Sequence, residues 1–324
     1  MLGLNFSDVR EGGKMISKID RVRGGLVGLL VGDALGVPYE CHPPAEIPAS
    51  DQIDFSPPDR FVRSHRYIRP GTWSDDGAQA LCLLASLLDR GKLDLQDFAE
   101  KLVDWYKSGY MAVDGNVFDI GTTTWKALRA VGSGTPAETA GLTDVQSNGN
   151  GSLMRVLPLA LWHRGTDVQL VNDAQRQSVV THGHMRSRIC CAVYCLLARR
   201  IMEECPHPWG DAVDTLKSIC KDDADAMSEL ECHVCPDEPI EPTGHGYVVD
   251  SLRAAQKALS IATYEEAVRW SVSLGHDTDT TACVVGGIIG LRDGIAGISE
   301  HWITRLRGTK IYSPLLENLV SAIR

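Results

Sequence analysis

The sequence predicts a single all-α domain, and two observations lead to that prediction. Apolar residues recur at spacings of three and four along most of the chain, whereas period-two alternation is almost absent. Aromatic residues make up only 6% of the 324 residues, which disfavours a sandwich or a barrel. A hydrophobic content of 44% lets a chain of this length bury a full core. We expect the helical domain to cover residues 19–324, after an unperiodic, disordered leader at residues 1–18.

The helical segments follow one another with recognisable ends. Glycines spaced by four in GGLVGLLVGDALG allow this first helix to pack closely against another one. The three-and-four spacing then appears in LCLLASLLDRG, FAEKLVDWYKSG, CCAVYCLLARRIMEE, SLRAAQKALS and YEEAVRWSVSLG, several of which end at Gly. We expect long surface loops in the Pro-rich, polar and unperiodic stretches CHPPAEIPASDQIDFSPPDR and CKDDADAMSELECHVCPDEPIEPTGHG.

The net charge is −10, from 42 acidic and 32 basic residues spread along the chain. Stable binding to nucleic acid is therefore not expected, because no basic stripe offers an electrostatic track. The apolar runs are short and interrupted, so we expect neither a membrane span nor an export signal. Five of the ten cysteines, Cys82, Cys190, Cys191, Cys195 and Cys283, lie in apolar stretches, as reduced thiols do, which favours a cytoplasmic location.

One group of thiols and imidazoles stands apart from the cysteines in apolar stretches. A zinc ion is one interpretation of this group, although only Cys232 and Cys235 have a standard ligand spacing. A surface loop with incidental thiols is the other interpretation. The group consists of Cys205, His207, Cys232, His233 and Cys235.

Oxygen-bearing side chains crowd the predicted starts of two apolar helices, in GTWSDDGAQALCLL and in SLGHDTDTTACVVGG. A single N-cap needs one such side chain, whereas two carboxylates at one helix start repel each other. Of the adjacent Asp75 and Asp76, one can be buried while the other reaches outward. If the two starts meet, their oxygens suit hard cations such as Mg²⁺ or Mn²⁺, and two ions neutralise them better than one. The predicted metal ligands are Ser74, Asp75, Asp76, Asp277, Asp279 and Thr280.

Other stretches also carry side chains suited to binding or catalysis. Glu40 follows the end of the glycine-rich helix, where it is exposed unless another element covers it. The stretch SNGNGSLMRVLPLAL leads glycine-rich backbone into a helix start and can cradle an anion, although a flexible loop capped by Ser152 is the alternative. Further helix starts carry His182, His184 and Arg186, and Asp114, Asp119 and Thr122.

A family resemblance rests on seven motifs in order: GDALGVPYE, SDDGAQ, DIGTTT, GNGSLMRVLPLAL, THGHMRS, GYVVDSL and GHDTDTTACVVGGIIG. The chain resembles the ADP-ribosylglycohydrolases, a family that includes the dinitrogenase-reductase-activating glycohydrolases and the ADP-ribosylhydrolases of animals. The resemblance extends from Val22 to Arg305. It implies an orthogonally packed all-α fold around two Mg²⁺ or Mn²⁺ ions.

The resemblance also implies roles for individual residues. The family's metal motifs fall on the six ligands named above. Glu40 falls on an acidic position that is catalytic or gating in some members, and Asp119 lies in the DIG motif near the ribose. With Asp76, these two residues form the predicted catalytic set. The predicted substrate contacts are Gly149, Asn150, Gly151, Ser152, Leu153, Met154, His182, Tyr247 and His276.

The activity implied by the resemblance is metal-dependent hydrolysis that releases ADP-ribose from a modified protein. The N-glycosidic bond of ADP-ribosyl-arginine is the expected target, because the motifs are most similar to the dinitrogenase-reductase-activating branch. Two departures leave the substrate open: His276 stands where the family commonly has Gly, and Gln256 and Lys257 stand where a Trp is common. The alternatives are O-linked or nucleic-acid-linked ADP-ribose, a non-catalytic ADP-ribose-binding module and a Mg²⁺-dependent phosphohydrolase.

Overall fold

The computed structural model describes residues 16–323. Within that range the chain forms fourteen α-helices and no β-strand, with only two isolated bridges between loop segments. The predicted all-α, single-domain fold is therefore confirmed. The helices are α1 (Lys18–Gly36), α2 (Asp75–Arg90), α3 (Leu95–Ser108), α4 (Thr122–Gly132), α5 (Leu157–Trp162), α6 (Asp167–Val179), α7 (Met185–Met202), α8 (Pro208–Cys220), α9 (Ala224–Glu229), α10 (Val248–Ala258), α11 (Tyr264–Ser273), α12 (Thr278–Asp293), α13 (Glu300–Arg305) and α14 (Thr309–Ile323).

Helix α1 is the first helix of the described residues. Helix α1 begins at Lys18, and its first turn is capped by Ser17, whose hydroxyl accepts a hydrogen bond from the Asp20 N–H group. Residues 1–15 of the predicted leader lie outside the described residues, so their disorder stays a prediction. No helix within residues 16–323 is both long and apolar enough to span a membrane.

Helices α1 and α12 form the centre of the fold, and nearly every residue of both is buried. Their backbones touch because glycines face each other: a Cβ atom at Gly28 would lie 2.4 Å from the Gly286 carbonyl oxygen. The same holds where α1 ends, since a Cβ atom at Gly36 would lie 2.3 Å from the Cα atom of Asp279. The Thr278 hydroxyl donates to the Gly36 carbonyl at 2.8 Å. The end of α1 is thereby fixed against the start of α12.

Helix α2 is attached to α1 through one buried carboxyl group. Asp33 Oδ1 accepts from the Ser74 N–H group at 2.8 Å, and Oδ2 accepts from the Gly77 N–H group at 2.7 Å. These are backbone groups that the start of a helix leaves without intrahelical partners. Asp33 lies three residues before the end of α1 and is fully buried. It therefore places the start of α2 beside the start of α12.

One of the two predicted long loops is irregular and the other is partly helical. Residues 41–74 contain only short 3-10 turns and pass over the end of α1. The loop prediction for residues 220–246 is wrong in part, because this stretch contains α9 and a π-helical turn, Leu230–Val234. Ala226, Leu230 and Val234 are buried at a spacing of four among acidic residues, and this spacing is typical of a helix.

We expect Asp33→Ala to lower the free energy of unfolding by about 2–4 kcal/mol, because two buried N–H groups at the start of α2 lose their acceptor. Urea unfolding monitored by circular dichroism measures this loss. Asp89→Ala, at the exposed end of the same helix, should cost less than about 1 kcal/mol. Equal losses in the two variants would show that Asp33 does not anchor α2.

Candidate active site

A cavity of about 240 Å³ lies where the starts of α2 and α12 meet the segments before α4 and α5. Carboxyl, hydroxyl and backbone groups form most of its wall. The residues that line the cavity are Glu40, Asp75, Asp76, Asp119, Gly121, Thr122, Thr123, Thr124, Gly149, Asn150, Gly151, Met154, His182, Gly246, Asp277 and Thr280. Eleven of these sixteen residues are among the predicted site residues, so the structure brings most of that set together.

The two acidic helix starts meet at this cavity, as the sequence predicted. The Thr280 hydroxyl donates to Asp76 Oδ1 at 3.3 Å, a contact between residues 204 positions apart. Asp75 Oδ2 accepts from the Gln79 amide at 2.9 Å, one turn further along α2. Asp75 and Asp76 do point to different partners, but both are buried, so neither reaches outward into solvent. The reason is that the start of α12 covers the start of α2.

The carboxyl groups at these helix starts lack the partners that buried charges require. Asp76 Oδ2 and Asp279 Oδ2 are buried and have no hydrogen-bond partner among residues 16–323. Burial raises the pKa of Asp75, Asp76 and Asp279 well above the usual range, and neighbouring carboxyl groups raise it further. Two unpartnered oxygens in an all-oxygen environment fit a bound hard cation.

A second cluster of possible ligands lies at the edge of the same cavity. Ligand atoms of Glu40, His65 and Asp119 all lie within 4.8 Å of one another, and within residues 16–323 no other three His, Cys, Asp or Glu residues meet this criterion. The predicted aspartates at the two helix starts do not meet it, since Asp75 and Asp76 are turned towards Gln79 and Thr280. Cys205, His207, Cys232, His233 and Cys235 are not gathered into such a group either.

His65 contacts the site, and the sequence analysis missed it. Its Nε2 atom contacts Glu40 Oε2, its ring packs 5.0 Å from the ring of Phe118, and its φ angle is +46°. The Cys41 thiol donates to Glu40 Oε1 at 3.4 Å. The hydrogen bond that the Glu40 carboxylate accepts from the ring raises the pKa of His65, so the protonated imidazole persists to higher pH. Glu40 is covered by residues 41–74 and held by them.

Asp119 lies on the segment before α4 and faces Glu40. Its backbone has a φ angle of +59°, which non-glycine residues adopt rarely. Burial, followed by the charge of Glu40, raises the pKa of Asp119 to about 6. A carboxyl group with this pKa can exchange a proton near neutral pH.

The glycine-rich segment before α5 forms the opposite wall. The Asn150 amide donates to Asp277 Oδ2 at 2.8 Å and to the Ser251 hydroxyl at 2.9 Å, so it orients a predicted metal ligand. Gly246, which the sequence analysis also missed, leaves room for the same carboxylate, since a Cβ atom there would lie 2.8 Å from Asp277 Oδ2. His182 lines the cavity as a neutral imidazole, because burial lowers its pKa to about 3.

Several predicted residues lie outside the cavity wall. Ser74 caps α2, accepting from the Asp76 N–H group at 3.3 Å, and Asp279 is buried behind the wall. The Tyr247 hydroxyl accepts from Arg186 at 3.0 Å, and the His276 ring stacks on His245 at 3.9 Å. Ser152 and Leu153 lie in the core. His184 caps α7, and Asp114 forms an ion pair with Arg307.

Comparison with known proteins identifies the family. The family profile described as ADP-ribosylglycohydrolase matches residues 15–324. The chain belongs to the ADP-ribosylglycohydrolase family. The resemblance stated from the motifs is therefore confirmed, as is the prediction of an enzyme of the glycohydrolase class.

Two similar proteins come from bacteria. The chain is 29% identical over 310 residues to "ADP-ribosylarginine hydrolase Tri1" of Serratia proteamaculans (strain 568), covering 93% of this chain and 79% of that protein. It is 28% identical over 298 residues to "ADP-ribosyl-[dinitrogen reductase] glycohydrolase" of Rhodospirillum rubrum, covering 89% and 90%. A solved structure described as "ADP-ribosylglycohydrolase-related protein complex" superposes with a TM-score of 0.76 at 28% identity, covering 96% and 100%.

We expect His65→Ala to lower kcat/KM for hydrolysis of an ADP-ribosylated substrate by about 10- to 100-fold, because Glu40 loses the group that orients it. His65→Gln should retain more activity, since its amide can still donate to Glu40. His207→Ala, an exposed histidine at the start of α8, serves as the control and should match the wild type. Full activity in His65→Ala would contradict an orienting role.

Proposed function

We propose that this chain hydrolyses the N-glycosidic bond between ADP-ribose and an arginine of a modified protein, with two Mg²⁺ or Mn²⁺ ions at the acidic helix starts. The observation that carries the proposal is the meeting of the two helix starts, which leaves Asp76 Oδ2 and Asp279 Oδ2 buried without hydrogen-bond partners among residues 16–323. The similarity to proteins named for hydrolysis of ADP-ribosyl-arginine and of ADP-ribosyl-dinitrogen reductase supports the arginine linkage. The cytoplasmic location stays a prediction.

The ions would be held by oxygens from both helix starts. When bound, they would supply Lewis-acid stabilisation and a template for the ribose hydroxyls. Asn150 contributes indirectly, because its amide fixes Asp277 Oδ2. Thr280 contributes in the same way through Asp76. The proposed ligands are Ser74, Asp75, Asp76, Asp277, Asp279 and Thr280.

A backbone N–H group before α5 is proposed to bind the diphosphate. The N–H groups of Asn150, Leu153 and Met154 bond to carbonyl oxygens within the fold. Those of Gly151 and Ser152 have no backbone acceptor among residues 16–323. We assign the anion contact to the N–H group of Gly151, because Gly151 lines the cavity beside neutral His182 whereas Ser152 lies in the core.

Proton transfer is assigned to carboxyl groups at the edge of the cavity. Hydrolysis adds a hydroxyl group to the anomeric carbon and a proton to the leaving nitrogen, so two acid–base roles must be filled. Glu40 and Asp119 face each other, and neither belongs to the proposed metal ligands at the helix starts. Both are therefore available for these roles. The raised pKa of Asp119, about 6, suits a group that holds a proton for part of the time near neutral pH.

The test uses arginine-linked, serine-linked and nucleic-acid-linked ADP-ribose, each with Mg²⁺, Mn²⁺ or EDTA, and the products are identified by mass. The proposal expects free ADP-ribose from the arginine-linked substrate with either metal and none with EDTA. Release of ADP-ribose only from another linkage would show that the proposed arginine-linked substrate is wrong. AMP as the product would indicate a phosphohydrolase, and ADP-ribose binding without release would indicate a binding module.

We expect Asp279→Asn to weaken Mn²⁺ binding at least about 10-fold and to abolish most turnover, because it removes a charge and the unpartnered oxygen of a proposed ligand. Isothermal titration measures the first effect and ADP-ribose release the second. Asp293→Asn, at the other end of α12, is the matched control and should keep both properties. Undiminished Mn²⁺ binding in Asp279→Asn would exclude this ligand.

The stability of the metal-free protein should fall as pH rises. Burial raises the pKa of Asp76 and Asp279 in the fold, so these groups contribute stability at acidic pH that is lost as they ionise. Bound metal offsets that loss but competes with protons at low pH. The rise in Tm on adding Mn²⁺ to EDTA-treated protein should therefore be larger at pH 8 than at pH 5.5. A rise that does not change with pH would contradict a carboxylate site.

A further inference from the structure

A short basic segment borders the cavity of an otherwise acidic protein. Residues 60–69, RFVRSHRYIR, carry an arginine at every third position and no Asp or Glu, whereas the whole chain has a net charge of −10. We call these residues the arginine segment. It belongs to the irregular stretch 41–74 that covers Glu40.

The arginines of this segment have no acidic partners within residues 16–323. Arg60 donates to the Gln52 amide oxygen at 3.3 Å, and Arg63 donates to the Ile68 carbonyl. Arg66 and Arg69 are exposed, and their side chains make no hydrogen bond or ion pair with residues 16–323. By contrast, Arg305 and other arginines of the protein form ion pairs with Asp or Glu. The positive charges of Arg60, Arg66 and Arg69 are therefore exposed to solvent, whereas Arg63 is half-buried.

The segment is fixed next to the catalytic carboxyl groups. His65 contacts Glu40, and Ile68 forms a small buried cluster with Val37 and Phe118 that is separate from the main core. Phe118 directly precedes Asp119. The exposed residues on either side of His65 and Ile68 therefore lie at the edge of the cavity that contains Glu40 and Asp119.

We propose that the arginine segment binds an acidic surface of the ADP-ribosylated protein, next to the modified residue. This inference rests on the proposed function. The three exposed arginines, which have no acidic partner within residues 16–323, complement such a surface. Tyr67, which is 74% exposed, and Val62 add apolar area between them. Arginine and tyrosine are enriched in protein interfaces. The acidic remainder of the chain repels a long polyanion, which favours a protein partner over nucleic acid.

The test compares two synthetic peptides with one ADP-ribosyl-arginine, flanked by glutamates in one and by serines in the other. The variant is Arg66→Gln/Arg69→Gln. The control, Lys92→Gln/Lys221→Gln, removes the same charge at exposed sites; Lys92 lies beyond the far end of α2, about 24 Å along that helix from Asp75. The assay is kcat/KM for ADP-ribose release at low and high salt.

The wild type and the control should cleave the glutamate-flanked peptide with the higher kcat/KM, and high salt should remove the preference. The arginine variant should lose about 10-fold in kcat/KM on that peptide, mainly through KM, and less than about two-fold on the serine-flanked one. The inference is overturned if the active wild type cleaves both peptides with equal kcat/KM. It is also overturned if the arginine variant keeps the wild-type preference for the glutamate-flanked peptide.

Two further outcomes separate this inference from the proposed function. No release from either peptide by the wild type would refute the arginine-linked function, and the inference would fall with it. An ADP-ribosylated oligonucleotide is tested in parallel. If the arginine variant loses kcat/KM only on this substrate, the partner of the segment is nucleic acid, and the proposed acidic protein surface is wrong. Equal losses in the arginine variant and the lysine control would show a general charge effect and would also overturn the inference.

Discussion

The central constraint on this structure is that the starts of α2 and α12, both buried and both rich in carboxyl groups, face each other. The fold positions these carboxyl groups firmly, since α1 and α12 touch through glycines and Asp33 binds the start of α2. Hydrophobic packing therefore holds the carboxyl groups close together, although their desolvation and their mutual repulsion oppose this arrangement. Such an arrangement is costly unless protons or cations neutralise it. A divalent cation neutralises two charges at once, which is why we propose a metal centre at this site.

The fold class and most of the cavity could be predicted from the sequence because both depend on local patterns. The spacing of apolar residues gives the helices, and Ser74 or Asp277 beside an apolar run marks a helix start. The meeting of the two starts was a hypothesis from their similar composition. The helix at α9 was missed because acidic residues obscured the spacing of Ala226, Leu230 and Val234.

Residues that act across the fold had no local signal. His65 lies 25 positions from Glu40 in an unperiodic stretch, and only the path of residues 41–74 brings the two together. Asp33 is a single acidic residue in an apolar helix, and nothing near it in the sequence indicates the two backbone contacts by which it fixes α2. The hydrogen bonds from the Asn150 amide to Asp277 and Ser251 had no local signal either, because both partners lie more than 100 positions away.

The two sides of the cavity differ in how they are built. The proposed metal ligands lie on long buried helices, whereas Glu40 and Asp119 lie on irregular segments joined by His65 and by the cluster of Val37, Ile68 and Phe118. Irregular segments with few buried contacts open more readily than packed helices. The ligand geometry should therefore be rigid, while the carboxyl groups assigned to proton transfer and the arginine segment adjust to the substrate.

The most direct test of this account is a crystal structure of the Mn²⁺-loaded protein with anomalous diffraction from the metal. The account predicts two Mn²⁺ peaks between the start of α2 and the start of α12, within coordination distance of Asp76 and Asp279. A peak only at Glu40, His65 and Asp119, or no peak in the cavity, would contradict it. In that case the buried carboxyl groups would have to be neutralised by protons instead.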